Sequence, residues 1–571
     1  MSRPTFVTHG ALAAICAFFV GCSTDASPAA DPAPSPTASS PGPSTASTPA
    51  ATPTTDPVTP TPPAPPSPPE QEIAVDNSVE GSASKESSFS SEQWNSAVGL
   101  GGGSGSRYGG KAGGRAAADA DSYARPPASG YFEVADVARS TFGADVDTAS
   151  FTNVRRLLVA GHLPPPAAVR VEEFVNAQRY GDPAPVGREP FAVAGEVGIC
   201  PWQPEHQLVR LSLRTAPIAA DKLPPCNLVF LVDVSGSMRA RNKLPLFQQA
   251  IGLLIDQLRP QDHVAIVTYA SGVAVPLPSA RGDERQRIRA AVQALQAGGS
   301  TDGAGGIQRA YEIARAHRVA GTNRVLLATD GDFNVGIRSP DELEAFVTTQ
   351  KQDGIFLTVL GFGSGNLKDD RLERLADRGD GVYAYVDRLG EARRVLVEQF
   401  GASMMTVAKD VKLQVEFDPR QVRRYRLLGY ENRALAAAEF RDDTKDAGEM
   451  GAGHAVTALY EIERATSAAA EADTLLTLRV RYLPPEGVHA REFSRRLAAP
   501  PQVTERPSDD FHVAATAAAL ALQLQQDADC GSLSFARIDE LARALPPHAA
   551  ELRDVAARAC ELAAVAASTG R

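Results

Sequence analysis

Asp233, Ser235 and Ser237 occupy alternate positions of one short run, Asp233-Val-Ser-Gly-Ser-Met238, directly after the apolar stretch NLVFLV (227–232). A carboxylate and two hydroxyls so spaced on a single loop can all turn toward one point. Hard oxygen donors of this kind suit a hard cation such as Mg2+, which wants octahedral oxygen coordination and commonly keeps some of its waters. Two further donors sit where later strands should end. Thr301 lies in AGGSTDGAGGI, a loop that opens a helix, and Asp330 follows RVLLAT. The chemistry on offer is cation binding.

The elements around these residues are built to hold them. NLVFLV is apolar throughout, as expected of a parallel strand covered on both faces. Phe247, Ala250, Ile251, Leu254, Ile255 and Leu258 follow at helical spacing, and strand-like HVAIVTY, RVLLAT, GIFLTVLGF and VYAYV then alternate with helix-like segments until near Gly401. This alternation predicts an α/β domain with a doubly wound, mostly parallel sheet. Its ligand site should lie at the carboxyl ends of the strands, where strand order reverses.

The Asp-x-Ser-x-Ser run, the threonine of the Gly-Gly-x-Thr loop and Thr-Asp-Gly after a buried strand resemble the metal-ion-dependent adhesion site of von Willebrand factor type A (VWA) domains. The resemblance covers 226–403. It implies that Asp233, Ser235, Ser237, Thr301 and Asp330 are the donors, the serines and threonine touching the cation directly or through water. The implied ion is Mg2+, with Mn2+ or Ca2+ as alternatives. Tracts such as LPPPAAVRVEEFVN, LPPCNLVFLVDVSGSM, NRVLLATDGDFNVG and YRLLGYENR look like the YfbK-like bacterial VWA proteins. In that family an N-terminal block, a VWA domain and a C-terminal block occur together, here spanning about 131 to 571. The family brings no defined reaction with it.

Alternating strand patterns flank the α/β segment: FAVAGEV and QLVRLSLRT within 191–215, then DVKLQVEF, HAVTALYEIE and TLLTLRVRYL after 404. Each half is too short to close a sandwich, so the VWA domain is expected to be inserted in a β-rich domain. Antiparallel pairing is predicted between a strand in 191–215 and one in 408–482. The expected divisions are an N-terminal block at 131–225, the VWA domain at 226–403, a β-rich block at 404–500 and a helical block at 501–571. In the last helix Leu552, Val555, Ala559 and Leu562 share one face.

The chain starts as a secretion signal, with Arg3 ahead of the ten-residue apolar run ALAAICAFFV (11–20), too short to span a bilayer. Phe19-Val-Gly-Cys22 resembles the bacterial lipobox, with Phe19 where leucine is usual, which implies lipidation of Cys22. Residues 23–130 read as a disordered linker. Residues 23–84 lack lysine and arginine, sixteen prolines lie between Pro28 and Pro69, and a glycine-rich stretch follows at 99–114. Ser23, in place of aspartate, points by the family sorting rule to the outer membrane. Cys200, Cys226, Cys530 and Cys560 would remain in the mature chain. They permit two disulfides, most simply Cys200–Cys226 and Cys530–Cys560, or they are free buried thiols.

Other chemistries find less support. The net charge of −11 excludes a basic nucleic-acid-binding face as the chain's main feature. Asp233 stands where a nucleophile elbow needs glycine, and neither a phosphate-binding loop nor a His-Glu-x-x-His helix is present. Asp145-x-Asp147 suggests an aspartyl phosphotransferase, but Ala149 stands where that chemistry needs threonine or valine, and a helix N-cap by Asp147 or Thr148 explains the pair. His206, His263 and His454 are scattered and read as surface or locally bonded residues. The function expected is therefore a non-enzymatic binding protein of the bacterial envelope, lipid-anchored at the outer membrane facing the periplasm or the cell surface. Its cation would capture an Asp or Glu carboxylate of an envelope protein. Alternatives are a metal-dependent hydrolase or enzyme subunit, with Asp332 the nearest candidate base, or a structural protein whose metal site binds no partner.

Overall fold

The computed structural model describes residues 123, 130–187, 189–300, 305–331, 339–364, 368–399, 405–445, 447–466, 474–485, 487–499 and 507–569. Cys22, the linker apart from Tyr123 and Gly130, Thr301 and Asp332 lie outside them.

The N-terminal block contributes β1 (Phe132–Glu133), β2 (Arg139–Gly143), helices α1 (Ala149–Val159) and α2 (Val171–Asn176), then β3 (Phe191–Ile199) and β4 (Gln207–Thr215). The α/β domain follows with β5 (Cys226–Asp233), α3 (Leu244–Ile255), β6 (His263–Tyr269), β7 (Val273–Arg281), α4 (Arg285–Gln293), α5 (Gly306–Ala316), β8 (Thr322–Thr329), α6 (Pro340–Gln352), β9 (Ile355–Phe362), α7 (Asp369–Arg378), β10 (Tyr383–Val386) and α8 (Leu389–Arg393). Strand order is β10-β9-β8-β5-β6-β7, parallel except where β7 runs antiparallel to β6. Order reverses at β5, whose neighbours β6 and β8 lie on opposite sides of it.

Every residue of β5 is buried, and its two faces feed different cores. Leu228, Phe230 and Val232 pack with Phe247, Ile251 and Leu254 of α3, whereas Val229 and Leu231 pack with Ile307, Ala310 and Tyr311 of α5. Burial on both sides is why an unbroken apolar run was required there.

After the α/β domain come β11 (Thr406–Phe417), β12 (Val422–Leu428), β13 (Ala434–Leu435), β14 (Gly448–Gly451), β15 (Ala455–Arg464), β16 (Thr474–Leu483) and β17 (Arg491–Ala498). They complete two sheets, β1-β12-β15-β4-β3 and β13-β2-β11-β16-β17, with β14 joining β11. The expected long-range pairing is present: β4 runs antiparallel to β15, with Leu213 opposite Val456 and Leu211 opposite Ala458. Val209, Leu211 and Leu213 meet Leu413, Val415, Phe417, Leu478 and Val480 in one apolar core, so the α/β domain is inserted into a β-rich body.

A helical layer covers the outer face of the first sheet. It comprises α1, α2, α9 (Asp509–Gln525), α10 (Phe535–Arg543) and α11 (Ala550–Thr569), packed on Trp202, Leu208 and Leu459. Ser508 caps α9 by accepting the Phe511 N–H at 3.1 Å, and Asp509 and Asp510 in the first turn suit the helix dipole. The alanines at 514, 515, 517, 518, 519 and 521 let most of α9 sit buried. In α11 Leu552, Val555 and Ala559 are buried, with Leu562 packed at the margin.

The disulfide expectation is corrected, since Cys200, Cys226, Cys530 and Cys560 are free thiols. Cys200 belongs to the helical core and Cys226 to the core under α3, two different packing units. Cys530 Sγ faces Asp527 Oδ1 at 3.4 Å, whereas Cys560 Sγ donates to the Phe535 carbonyl at 3.0 Å.

The helix-cap expectation is corrected as well. Thr148 is the N-cap of α1, but no side chain caps it. Asp147 Oδ1 instead accepts the Tyr383 N–H, and Thr148 Oγ1 accepts from Arg394 at 2.6 Å. Of the histidines read as surface or locally bonded, two are bonded locally. His206 Nδ1 lies 2.7 Å from Glu461 Oε1 in a buried network. His454 Nδ1 accepts the Gly451 N–H at 3.1 Å, and burial beside Arg324 pushes its imidazole down to about 4.

Candidate metal centre

The site lies at the carboxyl ends of β5 and β8, the point where strand order reverses. Asp233 is the last residue of β5, and Asp330 comes directly after β8. Both are fully buried. The Ser235 N–H donates to Asp233 Oδ1 at 2.8 Å, turning the loop back over the strand end. Ser235 Oγ and Ser237 Oγ lie 2.9 Å apart, so the alternate spacing does bring the two hydroxyls together.

The 298–300 segment is docked against this loop. Gly298 donates to the Val234 carbonyl at 2.8 Å, Gly236 donates to the Gly299 carbonyl at 3.0 Å, and the Ser300 N–H reaches Ser271 Oγ at 2.9 Å. Gly299 has a φ of +85°, and a Cβ there would collide with the Ser271 hydroxyl, so this close approach requires glycine. Four of the expected donors are thus brought to the carboxyl ends of the central strands. Thr301, the fifth, lies outside the described residues, directly after the docked segment.

Two buried oxygens here, Asp233 Oδ2 and Asp330 Oδ1, have no partner at ordinary hydrogen-bond geometry, with the buried Tyr269 hydroxyl the nearby donor to the Asp233 carboxylate. Buried carboxylate oxygens are costly to leave unpaired. Burial raises the Asp233 carboxyl to about 6, opposed by the Ser235 N–H and reinforced by the neighbouring charge of Asp330. Both features fit a divalent cation, which would satisfy the orphaned oxygens and favour the charged carboxylates. The donors are hard oxygens, matching Mg2+, Mn2+ or Ca2+ rather than a thiophilic metal.

Lys243 was not foreseen. It stands just ahead of α3, and its Nζ donates to Asp330 Oδ2 at 2.7 Å, with both side chains almost fully buried. In sequence it is one lysine in a polar connection, RARNKLPLF, with nothing to mark it from a solvated one.

The chain matches three family profiles: that described as von Willebrand factor at 117–210, the von Willebrand factor type A domain at 227–398, and the C-terminal region of uncharacterized protein YfbK at 402–554. It is 38% identical over 438 residues to "Uncharacterized protein YfbK" of Escherichia coli (strain K12), covering 72% of this chain and 75% of that protein. It is 29% identical over 161 residues to the human inter-alpha-trypsin inhibitor heavy chain H3, covering 27% of this chain and 18% of that protein. Among solved structures, a von Willebrand factor type A protein from Catenulispora acidiphila aligns at 19% identity with a TM-score of 0.38, covering 63% of this chain and 88% of that one.

Proposed function

Because the chain belongs to the YfbK family of von Willebrand factor type A domain proteins, we propose that it is a non-enzymatic, cation-dependent binding protein of the bacterial envelope. In this reading Asp233, Ser235, Ser237, Thr301 and Asp330 hold Mg2+, or Mn2+ or Ca2+ in its place. The ion then takes an Asp or Glu carboxylate from an envelope protein.

The observation that carries this is the pairing of two buried carboxylates, each with an oxygen lacking a partner at ordinary hydrogen-bond geometry, with neutral hydroxyls at the carboxyl ends of the central strands. With only two anionic groups in the set, a divalent ion retains electrophilic character, and a ligand position left to water can be taken by a carboxylate. Hydrolysis would also need a positioned base. Among the described residues at the site, the other titratable side chains are Lys243, which donates to Asp330, and Tyr269, whose phenol is buried beside Asp233 with its pKa pushed up chiefly by that burial. Cross-linked pull-down of envelope proteins with and without chelator tests the proposal. Capture in Mg2+ and its loss in EDTA are expected; capture that survives EDTA would move binding to the flanking blocks.

Anchoring belongs to the same reading. Cys22 would carry lipid, placing the body at the outer membrane, facing the periplasm or the cell surface. Support comes from the apolar run ending in Phe19-Val-Gly-Cys22 and the proline-rich, lysine- and arginine-free stretch after it. Cys22→Ser should shift the protein from the membrane to the soluble fraction. Native protein found soluble, with residues 1–22 simply removed, would refute the anchor.

A further inference from the structure

The candidate metal centre already contains a cation of its own. Lys243 Nζ sits 2.7 Å from Asp330 Oδ2, and side-chain exposure is 8% for the lysine and 0% for the aspartate. The position is built rather than incidental. The lysine stem runs across Gly363, at φ +77°, where any Cβ would overlap the lysine methylenes. The Gly363 carbonyl is held in turn by the Tyr385 hydroxyl. The chain bends away from the stem at the only kind of residue that leaves room for it.

Charge counting then gives this lysine a role. Asp233 and Asp330 contribute two negative charges and Lys243 one positive, so the site is one charge short of neutral before any metal enters. A divalent ion takes it to a net positive charge that an incoming carboxylate would neutralise. Like charges a few ångströms apart and out of water repel strongly.

We propose that Lys243 is an internal counter-cation: it holds the Asp330 carboxylate in place when no metal is bound, and it weakens metal binding so that firm retention of the ion requires the partner's carboxylate. The inference rests on the reading that this site takes a divalent cation. Lys243 acts as a positioning residue, through Asp330 and the net charge of the site.

The test is Mn2+ binding to the full chain, followed by calorimetry and by the loss of the free-ion paramagnetic resonance signal, with thermal unfolding in EDTA recorded alongside. Lys243→Met keeps the length of the side chain and removes its charge. It should bind Mn2+ about tenfold tighter or better, melt at a lower temperature than the native chain in EDTA, and lose that deficit in saturating Mn2+. Adding acetate or a short acidic peptide should tighten Mn2+ binding in the native chain and do so less in Lys243→Met. Should the methionine variant fail to fold, Lys243→Gln keeps a donor for Asp330 without a charge and should show the same rise in affinity. Asp330→Asn should lose Mn2+ in either background. Unchanged or weaker Mn2+ affinity in the neutral variants would overturn the counter-cation role while leaving the metal site standing. Absence of Mn2+ binding by native and variant chains alike would overturn both.

Discussion

Asp147 of the N-terminal block accepts the backbone N–H of Tyr383, the first residue of the edge strand β10 in the inserted domain, at 3.0 Å. A residue spaced to cap its own helix thus extends the sheet of another domain. Around it the two parts share charge. Arg170 of the N-terminal block reaches Asp369 at 2.6 Å and Glu373 at 3.4 Å on α7, and Arg433 reaches Asp377 at 2.6 Å. Carboxylates outnumber arginines in this cluster. Asp147 is pushed well above the usual carboxylate range, chiefly by burial and then by the nearby charges of Asp145 and Asp377.

That crowding makes the junction pH-sensitive. Burial raises Glu373 to about 8, aided by Glu173, Asp377 and Asp369 and opposed by Arg170. A carboxyl with a folded-state pKa above its unfolded value binds its proton more tightly in the folded protein. Its contribution is therefore present at low pH and is lost as pH rises from the unfolded value, about 4.3, toward the folded one. Urea midpoints should fall over that window. Glu373→Gln should remove about 1.4 kcal/mol per pH unit from the slope at most; an unaltered slope would mean the proton is carried elsewhere.

Glu461 works in the opposite sense. Its Oε2 accepts from Trp202 Nε1 and from Arg426, each at 3.0 Å, and Arg426 continues to Asp527 Oδ1 at 3.0 Å, beyond the end of α9. Burial raises its carboxyl, but Arg426, His206 and Trp202 outweigh that and leave it below the usual range. This contribution is present above the unfolded value and is lost on acidification. Glu461→Ala strands a buried arginine and should cost about 3–5 kcal/mol in chemical denaturation. A cost under about 1 kcal/mol would show that Asp527 alone suffices.

Without a cation, the charge on Asp233 is a burden. Asp233→Asn keeps an acceptor for the Ser235 N–H and removes the repulsion from Asp330. In EDTA it should therefore be more stable than the native protein, by about 1 kcal/mol. Addition of Mg2+ should raise the melting temperature of the native protein and leave the variant's unmoved. A native melting temperature indifferent to Mg2+ would count against the metal site.

The thiols offer a chemical check. Burial is the leading cause that raises Cys200, Cys226 and Cys530 far above the thiolate-forming range, and it pushes half-buried Cys560 to about 11. A maleimide should label Cys560 slowly in the folded protein and the other three only after unfolding. Fewer than four labelled positions among these cysteines in non-reducing denaturant would restore a disulfide.

The sequence makes the inserted domain legible because its strands are buried on both faces and its ligand loop has fixed spacing. β5 and Asp233 could be read from 227–238 alone. The β-rich body shows as alternation, and the pairing of β4 with β15 follows from each half being too short. What could not be read are polar side chains whose partners are chosen by tertiary packing. Asp147 and Thr148 look like caps until β10 and Arg394 arrive beside them. Lys243 looks solvated until Gly363 and Asp330 enclose it. Cysteine spacing says nothing about which core each sulfur enters.

Insertion also fixes the order of assembly. Leu213 of β4 pairs with Val456 of β15, about 240 residues further along the chain. At ordinary synthesis rates of 5–20 residues per second, the N-terminal strands wait roughly 12–50 s for the partner that completes their sheet. The inserted domain, whose six-stranded sheet pairs only strands from its own shorter stretch, can close first and bring the two halves of the body within reach of each other. Its folding is then a timer for the rest, and a variant that slows it would expose an unpaired β4 edge for longer without touching any residue of the body.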